Sequence, residues 1–150
     1  MDKKIIIAII AIIAIAIGGY AYMNFNSSNT VKVGDSTTIE VPAGFQFDKI
    51  KGDKTYLKND ATVISIKENK DPDTLENIIQ SYKDTYSENH TVEIGNKQVG
   101  DVPVVWGYQK DGDKLVAYDY WYTKNNKTYH ICVTKENNEE AVDSIIQSTA

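Results

Sequence analysis

Two residues with reactive side chains lie near the end of the chain. His130 and Cys132 are two apart in the run Lys127-Thr128-Tyr129-His130-Ile131-Cys132-Val133-Thr134. In a strand that spacing puts both on one face, because side chains alternate. A zinc site needs further ligands, and His90 is the only other histidine while Cys132 is the only cysteine. No metal is therefore expected. A cysteine–histidine nucleophilic pair fails on distance, since two residues along a strand separate the side chains by about 7 Å. Cys132 reads instead as a small apolar filler.

The carboxylates offer two close pairs. Asp71 and Asp73 bracket Pro72, and Asp111 and Asp113 bracket Gly112. The first pair suits a helix start and the second a turn. Neither belongs to an EF-hand loop. The chain has no phosphate loop, dinucleotide fingerprint or nucleophile elbow. No catalytic residue, no cofactor and no enzymatic activity are expected.

The aromatic residues are the more distinctive feature. In Lys114-Leu115-Val116-Ala117-Tyr118-Asp119-Tyr120-Trp121-Tyr122-Thr123, Val116, Tyr118, Tyr120 and Tyr122 alternate along one face. Leu115, Ala117, Asp119 and Trp121 take the other, with Trp106 and Tyr129 on neighbouring strands. One reading is a ligand or glycan platform, where rings stack and hydroxyls hydrogen-bond. The plainer reading is a sheet face beneath a helix. Asp119 is costly to bury without a partner, so the Trp121 face is expected to be partly wet. The possible binding surface is Trp106, Tyr118, Asp119, Tyr120, Trp121 and Tyr122.

The charges exclude one class of partner. All sixteen basic residues are lysines, and the net charge is −5. Without arginine, bidentate capture of phosphate is lost, and an acidic surface repels polyanions. Nucleic acid is not an expected partner. One cysteine forms no intramolecular disulfide.

Several elements must position these residues. Strands are expected over 36–41, 45–50, 55–58, 61–68, 91–94, 104–110, 114–123 and 127–134, with an antiparallel meander formed by the last three. Asp111-Gly112 and Asn125-Asn126 supply turns tolerant of positive φ. Asp73-Thr74-Leu75-Glu76 has the spacing of a capping box. Leu75, Ile78, Ile79, Tyr82 and Tyr86 form the apolar stripe of the helix that follows. A second helix starts from Asn137 as cap and buries Ala141, Val142, Ile145 and Ile146. The order implies an α+β domain, an antiparallel sheet packed with two helices.

Ahead of this domain, residues 5–23 read IIIAIIAIIAIAIGGYAYM, with no charge. As a helix these nineteen residues span about 28 Å, against a hydrocarbon core of about 30 Å. Lys3 and Lys4 precede the run, which orients the C-terminal domain outward, and Tyr20, Tyr22 and Phe25 suit an interfacial belt. The other reading is a cleavable signal peptide with small residues Gly19 and Ala21 near its cut. Both place the domain outside the cytoplasm. The expected organisation is an anchor or signal at 1–23, a linker at 24–35, and an extracytoplasmic α+β domain at 36–150. Three N-x-S/T sequons, at Asn26, Asn89 and Asn126, are possible glycosylation sites.

Short motifs within the domain resemble a known family. Val41-Pro42-Ala43-Gly44-Phe45 is similar to the opening of PsbP-like and DcrB-like domains. Thr74-Leu75-Glu76 resembles the start of their first long helix. Gly100-Asp101-Val102-Pro103 is similar to their approach to the meander, and Ile145-Ile146-Gln147-Ser148 to their terminal helix. The resemblance covers about residues 36–150. It implies a PsbP-like sandwich and an extracytoplasmic accessory or assembly role, and it brings over no catalytic residue. The functional expectation is a single-pass protein of the cell membrane. Its outer domain would be a non-catalytic accessory, assembly or binding module for another membrane or cell-surface protein. The alternative is a carrier or sensor of an apolar or glycan ligand on the aromatic sheet face.

Overall fold

The computed structural model describes residues 29–69, 75–86 and 90–150. The membrane run at 5–23, the capping residue Asp73 and the sequons at Asn26 and Asn89 lie outside the described residues. Among the described residues, no helix is long and apolar enough to cross a membrane.

Among the described residues, period-two patterning produces nine strands and two period-3.6 stretches produce helices. The strands are β1 (Thr30–Val33), β2 (Thr37–Glu40), β3 (Gln46–Lys51), β4 (Lys54–Lys58) and β5 (Val63–Asn69). Helix α1 (Leu75–Tyr86) then leads to β6 (Thr91–Val99), β7 (Val102–Asp111), β8 (Lys114–Lys124) and β9 (Lys127–Val133), and α2 (Glu139–Ser148) follows. β1 and β2 form a separate hairpin. The other seven strands make one sheet in the order β3-β4-β5-β9-β8-β7-β6. Every pair is antiparallel. Two meanders, β3–β5 and β6–β9, are thus joined where β5 pairs β9.

Turn chemistry sets the register of the second meander. Asn125 and Asn126 have φ of 56° and 64°, and Lys124 pairs directly with Lys127 across them. Asparagine tolerates this left-handed backbone, which matches the twist of a two-residue hairpin. Asp119 then falls opposite Cys132, and Trp121 opposite His130. The sequon asparagine Asn126 is exposed in this turn.

The sheet buries apolar groups on both faces. On one face Leu57, Ile64, Ile66, Tyr122, Tyr129, Ile131 and Val133 meet Val33 and Ile39 of the β1–β2 hairpin and Val142, Ile145 and Ile146 of α2. Those three α2 residues have no exposed surface, and each contributes about 1.5–3 kcal/mol by burial. The segment after α2 fastens to β2 by reciprocal backbone bonds between Thr38 and Ala150, both 3.0 Å. Two tyrosine hydroxyls are satisfied inside this core. Tyr129 Oη lies 2.8 Å from Thr37 Oγ1, and Tyr122 Oη lies 2.7 Å from Thr149 Oγ1. Thr149 Oγ1 donates to the Ile145 carbonyl, which leaves Tyr122 as the donor of its pair. The other sheet face carries a smaller cluster of Tyr82, Val105 and Trp121, packed with Leu75, Ile78, Ile79, Val92 and Ile94.

The α+β architecture expected from the sequence is present, with local differences. Residues 24–35 were expected as linker, yet 30–33 form β1. Val33 is fully buried, and Val31 pairs with Ile39. A short β-branched alternation between polar neighbours pairs once the Gly34 turn, at φ 68°, returns the chain. Strand β6 runs on to Val99 rather than ending near residue 94, because Gly100 at φ 60° closes a hairpin onto β7. Asn137 does not cap α2. It takes φ 66° in the preceding turn, and the helix begins after Asn138. The Asn138 amide donates to the carbonyls of Lys135 and Glu136 and so holds that turn instead.

Candidate functional site

Asp119 lies in the middle of β8, at the centre of the sheet face beneath α1, and is 5% exposed. Burying a carboxylate in that position is costly unless hydrogen bonds replace its water. Two do so. Tyr82 Oη from α1 donates to Asp119 Oδ2 at 2.9 Å, and His130 Nε2 from β9 donates to Asp119 Oδ1 at 2.8 Å. Register explains the second bond. Asp119 opposes Cys132 and Trp121 opposes His130, so Asp119 and His130 are diagonal neighbours on one face. Rings close over this pair. Trp121 stacks on His130 with centroids 5.0 Å apart and planes 7° apart. Tyr82 meets Trp121 edge-on at 5.1 Å. Tyr82 reaches this depth because residue 107 is glycine. A Cβ there would sit 3.0 Å from the Tyr82 ring. Nearby, His90 Nδ1 and Gln109 Oε1 are 3.1 Å apart.

The expectation of a partly wet Trp121 face is corrected by this arrangement. Trp121 is 7% exposed and sits under α1 as core. Asp119 is buried without being orphaned, because Tyr82 and His130 both bond its carboxylate. Helix α1 covers the face from a part of the chain remote in sequence. Cys132 and His130 share this face, as alternation requires. The Cys132 thiol is pushed up to about 12, first by burial and then by the neighbouring Asp119 carboxylate. A thiol so placed is a poor nucleophile at neutral pH. Among the described residues, no group of three His, Cys, Asp or Glu side chains is arranged to hold a metal ion.

The remaining aromatic residues of the sequence-derived surface occupy the opposite face. Trp106 and Tyr108 of β7 pair with Tyr120 and Tyr118 of β8. Their rings form a ladder. Trp106 and Tyr108 stack at 6.2 Å, Tyr108 and Tyr118 at 5.4 Å, and Tyr118 and Tyr120 at 5.3 Å. The ladder emerges from the core. Tyr122 is fully buried and Tyr120 nearly so, whereas Tyr118, Tyr108 and Trp106 are half-buried and Val116 is exposed. Gly95 of β6 faces Trp106, and a Cβ at residue 95 would overlap the indole.

The electrostatics change along the ladder. Burial is the main cause holding the Tyr120 and Tyr122 hydroxyls protonated well above the usual tyrosine range. At the open end the cause is different. The Tyr108 hydroxyl is raised first by its hydrogen bond with Glu93. Tyr118 is raised by partial burial and then by the charges of Glu139, Glu136 and Glu93. Two lysines also meet these rings. Lys110 Nζ lies 5.4 Å from the Tyr108 centroid, and Lys97 Nζ lies 5.7 Å from that of Tyr120. Lys97 is paired with Asp143 at 2.7 Å.

The sequence-derived surface therefore divides. Asp119 and Trp121 join Tyr82 and His130 in a closed network. Trp106 and Tyr118 join Tyr108 on an open platform, and Tyr120 and Tyr122 anchor that platform in the core. Tyr108, Tyr82 and His130 join the site from outside the surface expected from the sequence. The Asn125-Asn126 turn already carried the signal for the Asp119–His130 diagonal, because a two-residue hairpin sets the register. Nothing local marked Tyr82 as the third member.

No family model matches the chain, and no curated protein matches it. Among solved structures, the chain is similar to the solution structure of cyanobacterial PsbP (CyanoP) from Synechocystis sp. PCC 6803. The TM-score is 0.49 and the sequence identity 14%, over 90% of this chain and 98% of that one. At that score and identity the similarity brings no function to this chain.

Proposed function

We propose that this chain is a membrane-anchored extracytoplasmic module that binds another membrane or cell-surface protein in an accessory or assembly role, without catalytic activity. The observation that supports it most is the half-exposed ladder of Trp106, Tyr108 and Tyr118 on a rigid sheet. Large aromatic side chains held in place lose little entropy on contact and are enriched at binding hot spots. The uncharged run 5–23 behind Lys3 and Lys4 supports the anchor and the outward orientation.

Two experiments test this reading. Protease added to spheroplasts should digest the domain, and protection until lysis would refute the orientation. Photo-crosslinking from position 116, in the exposed Val116 beside the ladder, should trap one defined partner in native membranes. Replacing Trp106 and Tyr118 by alanine should abolish that product while the domain stays folded. Unchanged crosslinking in the double variant would sink the binding-surface reading.

The alternative is a carrier or sensor of an apolar or glycan ligand. It draws support from an open groove of about 520 Å³ between α1 and β6, lined by Ile79, Lys83, Val92, Ile94, Gly95 and Asn96. Native mass spectrometry of the protein released gently from its membrane tests it, since a carrier retains a small molecule of defined mass.

A further inference from the structure

We propose that the half-exposed aromatic patch receives a basic segment of a partner protein, with a lysine or arginine side chain laid on the ring of Tyr108 beside Tyr118. This deepens the binding-module reading and rests on it. Three observations converge. The first is shape. Trp106 and Tyr108 of β7 lie opposite Tyr120 and Tyr118 of β8, so the four rings form one patch with centroids 5.3–6.4 Å apart, half-exposed at Trp106, Tyr108 and Tyr118. A shallow patch of this kind on a sheet surface suits a polypeptide segment better than a small molecule, which a pocket would enclose.

The second observation is charge. Glu93 and Glu136 act on both the Tyr108 and Tyr118 hydroxyls, and Glu139 acts on that of Tyr118. Glu93 comes from β6, Glu136 from the turn before α2, and Glu139 from the first turn of α2. Glu93 pairs directly opposite Tyr108 in the sheet. Of the two lysines at the ladder, Lys97 is already neutralised by Asp143, leaving Lys110 as the opposing cation. The field over the platform is therefore negative, and it favours a cationic occupant while disfavouring phosphate or an acidic peptide.

The third observation is that the ring face already holds a cation. Lys110 Nζ lies 5.4 Å from the Tyr108 centroid, within the range of cation–π attraction. A partner's lysine or arginine would take the same kind of seat. Lys110 then competes with the partner for the Tyr108 ring.

The test uses the full chain in zwitterionic micelles and a fluorescent octalysine peptide as probe, read by anisotropy. Octalysine should bind, and octaglutamate should not. Glu93→Gln with Glu139→Gln should weaken octalysine at least fivefold, and Tyr118→Ala should weaken it similarly. Lys110→Gln should tighten binding about threefold, a gain that misfolding does not produce. Asp53→Asn with Asp60→Asn removes two exposed carboxylates away from the ladder and should change affinity less than twofold. Equal weakening by the distant pair would reduce the effect to net charge and overturn the proposal. Absence of octalysine binding, equal binding of octaglutamate, or no gain in Lys110→Gln would overturn it too. The two readings can fail separately. If the membrane crosslink is lost in the aromatic variant but unaffected by Glu93→Gln with Glu139→Gln, the binding surface stands and the basic occupant falls.

Discussion

Replacing Tyr82 by phenylalanine removes one oxygen from the buried network and leaves its packing in place. The Tyr82 hydroxyl donates to Asp119 Oδ2 at 2.9 Å, while the ring keeps its edge contact with Trp121 and its seat against Gly107. A hydrogen bond to a charged, buried acceptor is worth about 1.5–3 kcal/mol. Asp119 retains the His130 bond at 2.8 Å, so the carboxylate is not left unpartnered. The expected loss therefore falls at the lower end, about 1.5–2 kcal/mol. With a urea dependence of about 1.5–2 kcal/mol per molar, the unfolding midpoint should drop by about 1 M. Equilibrium unfolding followed by tryptophan fluorescence reads this directly, because Trp121 packs against the altered residue. Tyr56→Phe, outside the network, should leave the midpoint nearly unchanged. Coincident midpoints for Tyr82→Phe and the unaltered protein would refute the reasoning. They would mean that α1 is held by apolar contact alone and that the short distance adds no stability.

Three further outcomes are expected. Alkaline pH should destabilise the domain through Tyr120 and Tyr122, which burial keeps protonated in the folded state. The unfolded chain loses both protons near pH 10, so stability should fall above that pH by up to about 2.7 kcal/mol per unit, measured by unfolding at stepped pH. Cys132, with its thiol pushed up to about 12, should react with iodoacetamide at pH 8 at least about 100-fold more slowly when folded than in urea. Rapid native labelling would contradict its burial beside Asp119. Gly95→Ala should force the Trp106 indole off β6 and cost about 1–3 kcal/mol, with a changed near-ultraviolet circular dichroism signal. An unchanged signal would mean that the indole does not lie over residue 95.

The local elements were legible because their causes are local. Alternation in 114–123 separated Tyr118, Tyr120 and Tyr122 from Asp119 and Trp121, and the structure keeps them on opposite faces. Asn125-Asn126 and Gly112 marked turns through their tolerance of positive φ. The 3.6-residue stripe on the second helix identified Val142, Ile145 and Ile146 as buried. Where the sequence misled, the deciding contact was remote. The stretch Thr30–Val33 looked like polar linker because its pairing with β2 needs a turn and a buried partner that a short window does not reveal. Period-two patterning says which residues share a face, but not which face a helix will cover. Trp121 became core because α1, joined to the sheet through Tyr82 and Asp119 across 37 residues of chain, packs over it. The opposite face stays half-open at Tyr118, Tyr108 and Trp106. Composition and spacing therefore determined the elements, the charge and the absence of a recognisable catalytic motif. Only tertiary packing decided which aromatic residues are structural and which remain available for contact, because burial depends on what the rest of the chain brings against each face.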